Sequence, residues 1–134
     1  MSETHVKICG IASPLDYDVC AEAGAAFVGM VFFARSPRNL SFEQAALISR
    51  HAEEQYQSGP KRVALTVDMD EAQMAKMINI TEPDFLQLHG EETPEQAKYT
   101  ETFFEKHHET FYEDFSKSLT KVFASKNPMF SNLF

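Results

Sequence analysis

The sequence predicts an α/β protein built on a parallel sheet. Three observations carry that expectation. Strand-like and helix-like patterns alternate four times over roughly the first 97 residues. The connections between them are short, which suits βα units joined by right-handed crossovers. The run AAFVGMVFF, residues 25–33, is apolar throughout, as in a strand buried on both faces.

Each element has its own reasons. HVKIC, residues 5–9, reads as a first strand. Ser13 is a helix N-cap, Pro14 fits the first helical position and Asp16 lies three residues after the cap. Leu15, Val19 and Ala23 then share one apolar helical face, and Gly24 ends the helix. After the second strand, 25–33, comes the loop ARSPRNL. Ser41 and Gln44 next form a capping box for a second helix over SFEQAALISRHAEEQYQ. KRVALTV, residues 61–67, is a third strand. DMDEAQMAKMIN is a third helix capped by Asp68 or Asp70. DFLQLHG, residues 84–90, is a fourth strand, and Thr93, Pro94 and Gln96 open a fourth helix.

Composition narrows the function. A chain of 134 residues, 43% hydrophobic, suits one domain with a core of its own. The net charge of −8 argues against nucleic acid and anionic membrane surfaces, which call for basic patches. A small anionic ligand remains compatible, because it needs only a local positive site. Cys9 and Cys20 have no CxxC spacing, so neither a disulfide framework nor a structural zinc site is expected. MSETHVKICG has no signal-like apolar region, and no run approaches the ~20 residues of a spanning helix. A cytoplasmic location is therefore expected.

Past about residue 97 the composition shifts. The segment holds nine of the sixteen aromatics, three residues from Val, Ile and Leu, and no glycine. Residues 98–134 are therefore expected to form a divergent, aromatic-rich tail, helical or poorly ordered, behind a unit spanning 1–97. Phe103, Phe104, Phe111, Phe115 and Leu119 partly fit an amphipathic helix, and LTKVFA, residues 119–124, could be a fifth strand. His107 and His108 lack the HExxH spacing, so no metal site is expected there.

In parallel α/β folds, ligands bind at the carboxyl ends of the strands. Those ends bring Cys9 with Gly10, the loop with Arg35 and Arg38, Asp68, and Gln87 with His89 and Gly90 to one mouth. Gly10 would let backbone and ligand approach closely. Plain alternatives exist for each: Cys9 as a small buried hydrophobe, the arginines as solvated loop charges, Asp68 as a cap, His89 as a polar strand end. Cys20 reads as packing. No P-loop or GxGxxG is present, which disfavours a dinucleotide site and tilts the architecture from a doubly wound sheet towards a barrel.

VKICGI, AGAAFVGMVFFARSPRNLS, RVALTV and DFLQLHGEE, in this order and spacing, resemble phosphoribosylanthranilate isomerase of tryptophan biosynthesis. The resemblance covers about residues 5–97. It implies the N-terminal half, about four βα units, of a (βα)₈ TIM barrel. It implies a cofactor-free Amadori rearrangement of N-(5-phosphoribosyl)anthranilate to 1-(2-carboxyphenylamino)-1-deoxyribulose 5-phosphate. By the match to KICG, Cys9 is the implied general base, a thiol whose pKa local positive charge can lower. By the match to the second βα loop, Arg38 would hold the anthranilate carboxylate or stabilise charge. Gln87 and His89 would line the pocket floor. Lys7 shares the strand face of Cys9 and reads as a polar residue of the barrel interior.

Two parts of the family pattern have no counterpart here: an aspartate acting as general acid at the end of strand six, and Gly-rich phosphate loops after strands seven and eight. Asp114, the tail's one aspartate, takes no role by this match. Four strands would leave two edges and an inner face of the sheet open. The alternative expectation is a truncated or frame-shifted, catalytically incompetent half-barrel. It would act at most as a binding module or self-associate through its open edges.

Overall fold

The computed structural model describes residues 4–107. Four parallel strands alternate with four helices: β1 (Lys7–Cys9), α1 (Pro14–Glu22), β2 (Phe27–Phe32), α2 (Phe42–Gln55), β3 (Lys61–Thr66), α3 (Glu71–Thr81), β4 (Phe85–Leu88) and α4 (Pro94–His107). The strands lie in chain order, β1-β2-β3-β4. Every adjacent pair is parallel, with Cys9 beside Gly29, Gly29 beside Val63 and Leu65 beside Gln87. The strands are one to three residues shorter than the apolar patterns.

Capping chemistry places the helices as expected. The Ser13 side chain accepts the Asp16 amide at 3.1 Å. Ser41 and Gln44 close a reciprocal capping box, and Thr93 and Gln96 form another at 2.8 and 3.2 Å. Asp70, not Asp68, caps α3 by accepting from the Gln73 amide at 2.8 Å. Asp68 is instead left-handed, with φ 48°. Its carboxylate accepts the Glu91 amide at 2.9 Å, and its own amide bonds Glu92. The loops after β3 and β4 are thus clasped together.

The two faces of the sheet differ. Val28, Met30, Ala64, Leu86 and Leu88 point outward into one core with Ile48, Met74, Met77, Ile78 and Phe104 from the helices. Their alternation with Gly29, Val31, Val63, Leu65 and Gln87 puts the latter set inside. The expected open inner face is not found: Val31, Val63, Leu65 and Gln87 are all at most 5% exposed. Curvature explains it. Lys7 on β1 donates a hydrogen bond to Gln87 on β4, and the Phe27 and Phe85 rings meet edge-on at 5.6 Å. The sheet curls into a cup whose side chains fill it.

The expected apolar face of α1 is also corrected. Leu15 and Val19 are 69% and 58% exposed, whereas Tyr17 and Cys20 are buried. The Tyr17 hydroxyl donates to the Pro60 carbonyl at 2.8 Å, and its ring packs against Tyr56. Tyr17 and Cys20, three positions apart, meet α2 and the β3 entry and so fix the buried stripe.

Helix α4 continues through residue 97 to His107. Phe104 is buried in the core and Phe103 packs against it. The remainder of the tail, including the expected strand 119–124 and Asp114, lies outside the described residues.

Candidate functional site

The site is built at the carboxyl ends of β1, β2 and β4. Cys9 ends β1 and is half-buried. Gly10 follows with φ 88°, a backbone that favours glycine. Its amide continues the ladder to the Gly29 carbonyl at 2.9 Å. A methyl at Gly10 would sit 2.2 Å from Cδ of Arg38. The Arg38 side chain therefore lies across Gly10, next to the thiol. The loop after β2 is pinned to hold it there. Leu40 bonds back to the Val31 carbonyl at 2.9 Å, Ser36 is buried, and the Ser36 hydroxyl accepts the Arg38 amide at 3.1 Å.

Gly29 makes room beneath. A Cβ there would stand 2.7 Å from Cys9 Sγ and 3.2 Å from Lys7 Cε. Both side chains converge over the bare backbone of β2. Gln87, 5% exposed, accepts the Lys7 hydrogen bond from the opposite strand. His89 lies two residues further on the same side of β4, its amide bonded to the Thr66 carbonyl at 2.9 Å.

The nearby cations act on the thiol as the motif implied, but the Cys9 thiol is on balance raised above its ordinary pKa. Burial is the largest cause, because it disfavours the thiolate. Lys7, Arg38 and the Gly10 amide oppose it, in that order. Burial likewise lowers Lys7, and Cys9 works against that shift.

The structure thus gathers Cys9 with Arg38, and Gln87 with Lys7, into one cup, with His89 at the end of the same strand. Arg35 stays exposed on its loop. Asp68 serves the loop clasp, and Cys20 is 4% exposed in the core behind α1. Lys7 and Gly29 gain an importance that residue type alone did not give them. The signal for Gly29 was present: a glycine inside an otherwise apolar strand marks a close approach. Among the described residues no cluster of His, Cys, Asp or Glu has metal-binding geometry. None of their helices is long and apolar enough to cross a membrane.

A thiol with a guanidinium and an amide-anchored ammonium close by suits proton abstraction beside a carboxylate. The Parvibaculum lavamentivorans N-(5'-phosphoribosyl)anthranilate isomerase is 48% identical over 92 residues, covering 69% of this chain and 41% of its own. The Rhodospirillum rubrum enzyme of the same name is 43% identical over 102 residues, or 74% and 45%. Phosphoribosyl anthranilate isomerase from Thermotoga maritima superposes with TM-score 0.65 at 33% identity, over 72% of this chain and 45% of its own. One such isomerase, solved with reduced 1-(o-carboxyphenylamino)-1-deoxyribulose 5-phosphate, matches with TM-score 0.65 at 32% identity, over 72% and 48%. The chain spans about two fifths of the length of these curated relatives. The four βα units accordingly form part of a TIM barrel. The family model for N-(5'phosphoribosyl)anthranilate (PRA) isomerase matches residues 6–133, well past the residue-97 limit drawn from the motifs and into the tail. With fold, motif order and family model in agreement, this chain belongs to the N-(5'-phosphoribosyl)anthranilate isomerase family.

Proposed function

We propose that the chain acts in the isomerisation of N-(5-phosphoribosyl)anthranilate to 1-(2-carboxyphenylamino)-1-deoxyribulose 5-phosphate, in tryptophan biosynthesis. The observation that carries this reading is the contact of Arg38 across Gly10, which sets a guanidinium beside the Cys9 thiol. Arg38 binds the anthranilate carboxylate, for which its planar fork is suited. Once the furanose ring has opened to an iminium, Cys9 as thiolate takes the proton from sugar C2. The electron pair of that C–H bond moves towards the iminium nitrogen and gives an enolamine, which tautomerises to the ketose. Substrate and product are isomers, so the proton inventory closes without a cofactor. Gln87 and His89 form the floor beneath the sugar. All four residues lie within 1–97, the half-barrel unit. The ring-opening acid is not assigned to any of residues 4–107.

Fluorescence of the anthranilate adduct reports turnover directly. Any turnover by the chain is expected to depend on Cys9, falling by about 10²–10⁴ in Cys9→Ser. Carboxylate binding without any Cys9-dependent turnover would instead support the binding-module reading. Self-association is the second property we propose. Among the described residues, β1 and β4 have unpaired edges. Val6 and Ile8, on β1 and just before it, and Leu15 and Val19 on α1 are exposed nearby. A sedimentation coefficient independent of concentration would exclude it. We place the protein in the cytoplasm, where Cys9 stays reduced; fractionation into an oxidising compartment would contradict that.

A further inference from the structure

Lys7 has no part in the mechanism above, yet its stem lies with the Cys9 sulfur over Gly29, where its charge favours the thiolate. Its position is built rather than incidental. It sits two residues before Cys9, on the same inner face. Gly29 leaves the space in which its stem and the sulfur lie together. Gln87, buried on the far strand, accepts one of its N–H bonds. An amide carbonyl can hold the ammonium without neutralising it, whereas a carboxylate at the same place would cancel its charge. Among the described residues, two charged groups act on Cys9: Lys7 from its own strand and Arg38 from the loop after β2. From β4 the facing group is the neutral Gln87, and from β2 it is the bare Gly29.

The substrate changes this balance. When Arg38 pairs with an anthranilate carboxylate, its positive charge is matched by a negative one. Its pull on the thiolate weakens at the moment when the thiolate is needed. Lys7 is the cation that the substrate does not engage. Resting on the function proposed above, we propose that Lys7, oriented by Gln87, is a positioning residue that keeps Cys9 available as thiolate while Arg38 is occupied by the substrate carboxylate. The thiol gives its proton to solvent before the thiolate takes the C2 proton, Lys7 acts through its charge without transferring a proton, and no electrons change hands.

The test needs no turnover. In the full 134-residue chain carrying Cys20→Ala, Cys9 is the one thiol left. Its alkylation by iodoacetamide is followed from about pH 6 to about pH 11.5, a window carried past the ordinary thiol range because burial raises Cys9. Lys7→Met keeps the apolar stem and removes the charge. It is expected to raise the midpoint by about one pH unit and slow alkylation about tenfold near neutral pH. Lys7→Arg restores most of the rate, and Gln87→Leu gives a smaller shift in the same direction. Superimposable profiles for the parent and Lys7→Met overturn the proposal, as does Lys7→Arg behaving like Lys7→Met. Should circular dichroism show Lys7→Met unfolded, Lys7→Gln in the same assay decides. Anthranilate separates the two claims. With it bound, the midpoint rises further in Lys7→Met than in the parent. Failure of anthranilate to bind counts against the substrate assignment, while the ligand-free profiles still decide the role of Lys7.

Discussion

The two ends of the sheet use polar side chains in opposite ways. At the amino ends of the strands, charges are matched within the chain. Arg62, its side chain 6% exposed, pairs with Asp84 and Glu53 at 3.3 Å and donates to the Ser49 carbonyl at 2.8 Å. Asp18 holds His51 at 2.7 Å and Tyr56 at 2.6 Å, tying α1 to α2. At the carboxyl ends, polar groups are placed by glycine backbone and turned into the cup. Arg38 lies over Gly10, and Cys9 and Lys7 lie over Gly29. Side chains closing on one another hold a fold together. Side chains aimed at a shared space keep their chemistry for a ligand. A barrel built in this way separates stability from activity along a single strand direction.

That contrast can be broken most forcefully at Arg62. Asp84→Ala strips the carboxylate from a buried guanidinium, and from the Arg62 amide that it also accepts at 2.8 Å. The expected loss is about 3–5 kcal/mol in urea unfolding, with Cys9 alkylation of the folded protein unchanged. A loss below about 1 kcal/mol would mean that Arg62 finds another partner, and the amino-end network would lose its structural meaning. The loop clasp comes next. A methyl at Gly90 would stand 2.7 Å from the Asp68 backbone nitrogen and 2.5 Å from its carboxylate oxygen. Gly90→Ala is therefore expected to cost about 1–3 kcal/mol and to weaken anthranilate binding, because the rim of the cup shifts with the clasp. Unaltered binding would detach the clasp from the site.

The smallest effect is a pH dependence at the amino end. The hydrogen bond from Tyr56, and then that from His51, hold the Asp18 carboxyl below its ordinary value of 3.8. An acid whose folded pKa is depressed stabilises the fold fully above its unfolded pKa. That contribution is lost as pH falls through the folded value. Asp18→Asn should flatten the acid limb of the stability curve below about pH 4. The same bond raises the Tyr56 phenol to about 12. This contribution is present below the ordinary value of 10 and disappears as pH rises through about 12. A parent and an Asp18→Asn variant with identical acid limbs in thermal melts would remove Asp18 from the α1–α2 tie.

Some of this was legible in the residues. Ser13, Ser41 and Thr93 announce three helices, because a cap is a contact between neighbours in sequence and needs no tertiary partner. Cys9, Arg38, Gln87 and His89 were placed at one mouth by strand order alone. Other parts were not legible. Leu15 and Val19 look like a buried stripe, yet Tyr17 and Cys20 are what α2 and the β3 entry cover. On α1 apolar side chains occur on both faces, so only the neighbours decide which is inside. Asp68 and Asp70 are equally good caps on paper. The approach of Glu91 and Gly90 draws Asp68 away. The net shift of Cys9 was hidden for a related reason: nearby cations can be foreseen from a motif, but the depth of burial that outweighs them cannot.

By itself, the sequence determined the alternation of strands and helices, the helix starts and the family motifs, because all of these rest on local periodicity and short-range hydrogen bonds. Only the tertiary structure decided that β1 and β4 touch through Lys7 and Gln87, that Arg38 crosses Gly10, and that burial raises the Cys9 thiol. Curvature of the sheet is the reason. It joins residues 80 positions apart and sets how much water each one keeps, and no stretch of neighbouring residues encodes that.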